Sequence, residues 1–271
     1  MNNFTQRLLS GIVFVVLLIG CTVYSSYSFL GMFLIVCIGG NYEFLKLISL
    51  NHVKPDHYFA HTSSALLFCT AALYCLNLNY MPVALLSLLS LFGIFIAALY
   101  TASDKPFLNI AVSLTSVIYV ALPLSLFVMF AFINGNFQWQ LALGYLILQW
   151  SSDTGQYCSG MLLGKRKLFE RISPKKSWEG FIGGFIFTVA IGYVIANFYT
   201  QLLAWQWMSI AAIIVVFGTM GDLVESLLKR SVGVKDSGSI MPGHGGFLDR
   251  FDALIGSAPF VYAFIKLTAL I

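Results

Sequence analysis

The sequence predicts an all-α polytopic integral membrane protein, and three observations lead there. Of the 271 residues 59% are hydrophobic and only 10% charged, whereas a soluble domain carries about a quarter charged residues. Apolar runs long enough to cross a bilayer recur along the whole chain. These runs are continuous, which argues against a β-barrel with its short alternating segments.

Taken in order, nine candidate spans can be read. Leu8–Val23 follows Arg7 and could pass for a signal peptide. No clear small-residue cleavage site follows it and another span begins almost at once, so it is read as the first membrane helix. Ser28–Leu47 contains a deep acid, Glu43, for which an inward hydrogen bond is the expected account. Phe59–Leu76 is short, like the first span, and the nearby His52, His57 and His61 do not form a recognised zinc pattern. Met81–Tyr100 and Phe107–Phe132 are apolar throughout. Phe137–Leu163 carries Asp153 near mid-membrane, where an acidic residue is a functional candidate. Trp178–Phe198, Leu202–Leu228 and Phe251–Leu270 complete the set.

If nine spans alternate, every Lys and Arg except Lys266 falls on one side of the membrane. By the positive-inside rule that side, with the N-terminus and both charged loops, is cytoplasmic. The five cysteines lack CxxC pairing and read as small hydrophobes. No linker or internal repeat divides the chain, so residues 1–271 form one transmembrane domain. Monomer and homodimer remain open, and no nucleic-acid partner is expected.

The polar chemistry is concentrated in a few places. Asp222, Glu225, Ser226 and Lys229 are spaced i, i+3, i+4, i+7 and share one helix face. An ionised carboxylate facing lipid there would cost a few kcal/mol, so the face points into the bundle; a Glu225–Lys229 ion pair is the simplest part of that arrangement. Asp249 and Asp252 open the last span, where the helix dipole favours negative charge. Capping explains one of them well and both poorly. Asp222, Asp249 and Asp252 thus converge on one edge, and hard oxygen ligands without Cys or a His pair suit Mg²⁺.

Between these helices Gly238, Gly243, Gly245 and Gly246 allow backbone N–H groups close to a ligand. With Lys229, Arg230, Lys235 and Arg250 beside them, they have the makings of a phosphate cradle. His244, flanked by glycines, is expected to contact phosphate rather than metal. Upstream, Ser173-Pro174 looks like a helix N-cap followed by Pro at the first position, which would put Lys175 and Lys176 in the first turn as an anion site. Glu179 could offset those lysines or reach the metal cluster.

From Ser226 to Asp252 the chain resembles the signature of the phosphatidate cytidylyltransferases. The residues that carry it are Ser226, Lys229-Arg230, Lys235-Asp236, Gly238, Pro242, His244-Gly245-Gly246 and Asp249-Arg250-Phe251-Asp252. Met241 stands where Leu, Ile or Phe is usual, and in the further block SDTGQY Gln156 stands where Ala is common. The resemblance implies transfer of a cytidylyl group from CTP to phosphatidate with Mg²⁺, in a bacterial cytoplasmic membrane. It implies a metal on Asp222, Asp249 and Asp252, with Lys235 and Arg250 acting on the CTP phosphates. Asp153, Lys175, Lys176, Ser226, Lys229, Arg230, His244, Gly245 and Gly246 would bind substrate, with Lys175 and Lys176 expected on the lipid phosphate. A transporter of phosphate compounds would spread polar residues across the membrane depth, which this chain does not. A lipid-alcohol kinase would transfer the γ-phosphate instead.

Overall fold

Each predicted apolar run lies on a helix in the computed structural model, which describes residues 3–49, 53–238 and 245–268, with side chains from residue 10 onward. The elements are α1 (Asn3–Tyr24), α2 (Ser26–Ser49), α3 (His57–Cys75), α4 (Met81–Tyr100), α5 (Pro106–Ser116), α6 (Leu122–Phe130), α7 (Trp139–Leu163), β1 (Lys167–Phe169), β2 (Ser173–Ser177), α8 (Trp178–Phe198), α9 (Ala204–Ser231) and α10 (Leu248–Thr268). Among the described residues six helical stretches are long and apolar enough to cross a membrane: α2, α4, Pro106–Phe130, α8, α9 and α10. A shorter apolar stretch covers Ser10–Tyr24. The chain is therefore an all-α polytopic integral membrane protein.

Local chemistry sets several boundaries. Asp56 caps α3 by accepting from the Phe59 N–H at 2.7 Å. Helices α4 and α5 both start with a proline in the first turn, where its missing N–H costs nothing. A π-helical turn, Val117–Ala121, joins α5 to α6. Pro123 has no N–H to return to the preceding turn, and the Leu122 N–H reaches back to the Val117 carbonyl instead.

The start of α8 differs from the sequence expectation. Residues Ser173–Ser177 form a strand antiparallel to β1, pairing Lys167 with Ser177 and Phe169 with Ser173. Ser177, four residues beyond the expected cap, accepts from the Gly180 N–H at 3.2 Å and starts the helix at Trp178. Lys175 and Lys176 consequently sit on a strand ahead of the helix and not in its first turn. The helix-dipole argument for an anion site at these lysines does not hold. Glu179 accepts from the backbone N–H groups of Lys165 (3.0 Å) and Arg166 (3.1 Å), closing the turn before β1 rather than reaching the acid cluster.

The core combines a cluster of aromatic rings with glycine-lined contacts between helices. Phe29, Phe33, Phe127 and Tyr145 are fully buried and pack ring against ring. The Tyr145 hydroxyl is satisfied by Ser257 at 2.6 Å. Gly155 and Gly160 of α7 face Gly184 and Gly180 of α8. On α9, Gly218 and Gly221 face Ala253 and Gly256 of α10. A methyl at Gly221 would stand 2.5 Å from the Asp252 carbonyl and 2.7 Å from the Gly256 Cα. Small residues let two membrane helices meet backbone to backbone.

Because the atoms opposing Gly221 are backbone, they can yield only by separating the helices. Gly221→Ala should destabilise the protein by about 1–3 kcal/mol through overpacking. Gly20→Ala, where no atom lies within 4 Å, should be neutral. Thermal unfolding of both variants in one detergent checks the contrast; equal transition temperatures would contradict it.

Candidate active site

The α9–α10 contact sets the spacing of three acids. Oxygen atoms of Asp222, Glu225 and Asp252 lie within 4.8 Å of one another. Glu225 is 0% exposed; one of its oxygens accepts from Lys229 Nζ at 2.8 Å and the other, Oε1, is buried without a partner. Asp222 pairs with Lys176 at 2.5 Å and accepts from Ser226 Oγ at 3.2 Å. Carboxylates this close repel unless cations neutralise them. Lys176 and Lys229 answer part of that need, and the orphaned Glu225 oxygen marks where it is unmet.

Asp249 lies next to this cluster but is occupied differently. Its Oδ1 accepts from Lys229 Nζ at 2.6 Å, and its Oδ2 accepts from the Ser237 N–H (2.9 Å), Ser237 Oγ (2.8 Å) and the Gly246 N–H (2.8 Å). Of the expected triad, Asp222 and Asp252 lie in the cluster together with Glu225, while Asp249 stands beside it. Asp249 holds both ends of the loop, because Lys229 and three loop donors already fill its oxygens.

Glu43 completes the seat of the loop. Its Oε2 accepts from the Leu248 N–H at 3.0 Å and from Ser237 Oγ at 3.3 Å, which bears out the inward hydrogen bond expected for it. A Cβ on Gly238 or Gly246 would run into the Glu43 carboxylate, and one on Gly39 would run into the Phe247 ring. Gly245 adopts φ +83°, a conformation that suits only glycine well. These glycines bring the backbone close to a carboxylate of the protein itself.

Two cavities flank the acids. The larger, about 400 Å³, lies between α7, β2, α8 and α9 and is lined by Asp153, Gln156, Tyr157, Lys175, Lys176 and Asp222 among others. The smaller, about 210 Å³, touches Asp153, Asp249, Arg250 and Asp252 on the side of α1. Asp153 borders both. Gln156 Nε2 donates to Ser152 Oγ at 2.9 Å and Thr219 Oγ1 at 3.0 Å, tying α7 to α9 one turn before Asp222.

Most residues singled out from the sequence gather here. Arg230 turns to the Val234 carbonyl at 3.2 Å, bracing the exit of α9, and Lys235 is exposed on the loop. His244 lies outside the described residues, as do Met241, Pro242 and Gly243. Sequence reasoning put Glu225 on the inward face with Asp222 and in an ion pair with Lys229 but not among the metal ligands, although its i+3 spacing from Asp222 carried that signal. It gave Glu43 no part in the loop, because nothing local connects residue 43 to residue 248.

Since Asp249 joins Ser237 to Gly246, Asp249→Asn should loosen the loop at its base. The amide nitrogen cannot accept, and Lys229 loses a charged partner. Trypsin should then cut after Lys235 about tenfold faster than in the unaltered chain, with the change in opening read as a change in cleavage. Unchanged cleavage would contradict the role given to Asp249.

Comparison with known proteins follows the same lines. The chain is 41% identical over 169 residues to phosphatidate cytidylyltransferase of Staphylococcus haemolyticus, covering 61% of this chain and 64% of that one. Identity to phosphatidate cytidylyltransferase of Bacillus subtilis is 47% over 127 residues, 45% of each chain. For the Haemophilus influenzae protein of the same name it is 42% over 125 residues, 44% of this chain and 43% of the relative. The chain thus spans less than two thirds of the length of these relatives. The family model described as the cytidylyltransferase family matches residues 5–268, nearly the whole chain, and the protein belongs to that family.

Proposed function

We propose that the protein transfers the cytidylyl group of CTP to phosphatidate, giving CDP-diacylglycerol and pyrophosphate for phospholipid synthesis. The observation that carries this reading is the three-carboxylate cluster of Asp222, Glu225 and Asp252 at the junction of two cavities, within the segment that resembles the phosphatidate cytidylyltransferase signature. The named relatives support it.

The chemistry asks little covalent work of the protein. An oxygen of the phosphatidate phosphate attacks the α-phosphorus of CTP, and the bond from that phosphorus to the β-phosphate oxygen breaks. The electron pair leaves with pyrophosphate. A phosphate monoester has its second pKa near 6, so the nucleophile is largely dianionic at neutral pH and no general base is required. The protein must bring two anions together and offset their charge.

The donor set fits a divalent cation: three hard oxygen ligands, one buried oxygen without a partner, and no Cys or His in the cluster. Asp222, Glu225 and Asp252 would hold Mg²⁺, which when bound would neutralise triphosphate charge. Lys176, now on Asp222, is placed to turn to a phosphate. Lys175 lines the same cavity, and Lys235 and Arg250 stand on either side of the loop that Asp249 and Glu43 seat. Lys229 bridges Glu225 (2.8 Å) and Asp249 (2.6 Å).

The same reading extends to topology. Nine crossings, with the N-terminus and both charged loops in the cytoplasm, are supported by the one-sided distribution of Lys and Arg that such alternation gives, and residence in a bacterial cytoplasmic (inner) membrane by the bacterial relatives.

With CTP labelled at the α-phosphate, label should pass to the lipid with release of pyrophosphate; transfer of γ-label instead would make the protein a kinase. Asp222→Asn and Asp252→Asn should each lower kcat on the order of 10²-fold or more while leaving expression unchanged. Near-normal turnover by either variant at saturating Mg²⁺ would remove that residue from the set.

A further inference from the structure

The smaller cavity has a lining that the reaction alone does not account for. Phe14 and Val15 of α1 and Trp150 of α7 supply its apolar lining; Gln149, Arg250 and the carboxylates of Asp153, Asp249 and Asp252 supply the polar part. Gln149 is only 5% exposed, yet its Oε1 has no hydrogen-bond partner. A buried amide oxygen left unpaired is costly, and a water, an ion or a ligand group in the cavity would satisfy it. Turned either way, the carboxamide offers a ligand a donor or an acceptor.

The position of the cavity narrows the class of ligand. Val15 lines it and is itself 37% exposed, beside Ile12 and Val16, which are 51% and 62% exposed on the same helix. In a membrane protein that outer face of α1 meets acyl chains, so the cavity wall is also a boundary with lipid. At about 210 Å³ it falls below the roughly 300–1,000 Å³ of pockets that enclose whole small molecules. The larger cavity, at about 400 Å³, falls within that range. A guanidinium beside the acids matches a phosphate with paired donors.

We propose that this cavity seats the phosphate head of a phosphomonoester lipid, its acyl chains leaving past Val15 into the bilayer, while CTP occupies the larger cavity. The proposal rests on the reaction read above. It reverses the division of labour expected from the sequence, because Lys175 and Lys176 border the larger cavity and Arg250 borders the smaller. Asp153, common to both, stands where the two phosphates meet. Asp153, Asp249 and Asp252 would repel the lipid phosphate by themselves; Arg250 and the cation held by the cluster offset them.

Two measurements on the full-length protein in detergent micelles test this. A phosphatidate carrying a photoreactive diazirine near the glycerol end of one acyl chain is irradiated with the protein, and the labelled peptide is identified by mass spectrometry. Label should fall on α1 around Val15, and be competed by phosphatidate but not by diacylglycerol or glycerol 3-phosphate. Label on α8 around Phe181 would overturn the proposal, as would equal competition by glycerol 3-phosphate, which would mean a free-phosphate site. In the second measurement, Val15→Trp should raise the KM for phosphatidate about tenfold and leave the KM for CTP unchanged, since it removes binding to one substrate only. Gln149→Leu, close in size, should act in the same direction without filling the cavity. A rise in the KM for CTP alone, in both variants, would refute the assignment. Crosslinking needs no turnover, so label on α1 without any cytidylyl transfer would retain the lipid site and reject the reaction.

Discussion

The candidate site depends on one contact, the meeting of α9 and α10 through Gly218, Gly221, Ala253 and Gly256. Between Gly221 and Gly256 nothing intervenes but hydrogen atoms, since a methyl on either would strike the backbone of the other helix. Asp222 follows Gly221 directly, and Asp252 lies one turn before Gly256. The close approach therefore brings the two carboxylates together whether or not they attract. Glu225, one turn beyond Asp222, joins them on the same face. Packing of small residues holds the three carboxylates together, and the proposed cation site rests on that arrangement.

A second layer of acids fixes the loop above the cluster. Glu43 and Asp249 together take the Ser237 hydroxyl and the backbone N–H groups of Ser237, Gly246 and Leu248. Glycine is required at 238 and 246 because the Glu43 carboxylate fills the space a side chain would need. Lys229 links the layers by touching Glu225 and Asp249 at once. A basic, glycine-rich segment is in this way tied down at both ends by carboxylates on α2 and α10. Arg250 and Lys235 are carried on a fixed base.

Much of this was legible in the sequence, for identifiable reasons. Helical class followed from unbroken apolar runs, and the Glu225–Lys229 pair followed from i, i+4 spacing; the structure gives it at 2.8 Å. The convergence of α9 and α10 was readable because both carry acids beside the same loop. Glu43 was not readable as the loop's seat, since its partners lie some two hundred positions away and only the packing of α2 against the loop unites them. The place of Glu225 beside Asp222 and Asp252, and the loop contacts of Asp249, were not readable for a similar reason: spacing says which residues share a face, not which oxygens are already occupied by N–H donors. At α8, two serines could serve as cap. Pairing of residues 173–177 with β1 decided for the later one, and strand pairing is a tertiary fact that local propensity does not contain.

The central claim, that helix contact builds the cation receptor, is tested most directly by Mn²⁺ binding measured by electron paramagnetic resonance on the purified protein. The unaltered chain should bind the ion, and Gly256→Val, which forces α10 away from α9, should bind it at least about tenfold more weakly, a loss of about 1.4 kcal/mol. Gly20→Val, in open space on α1, should bind as the unaltered chain does. Equal Mn²⁺ affinity for Gly256→Val and the unaltered protein would show that the carboxylates find their geometry without the contact, and the account would be wrong.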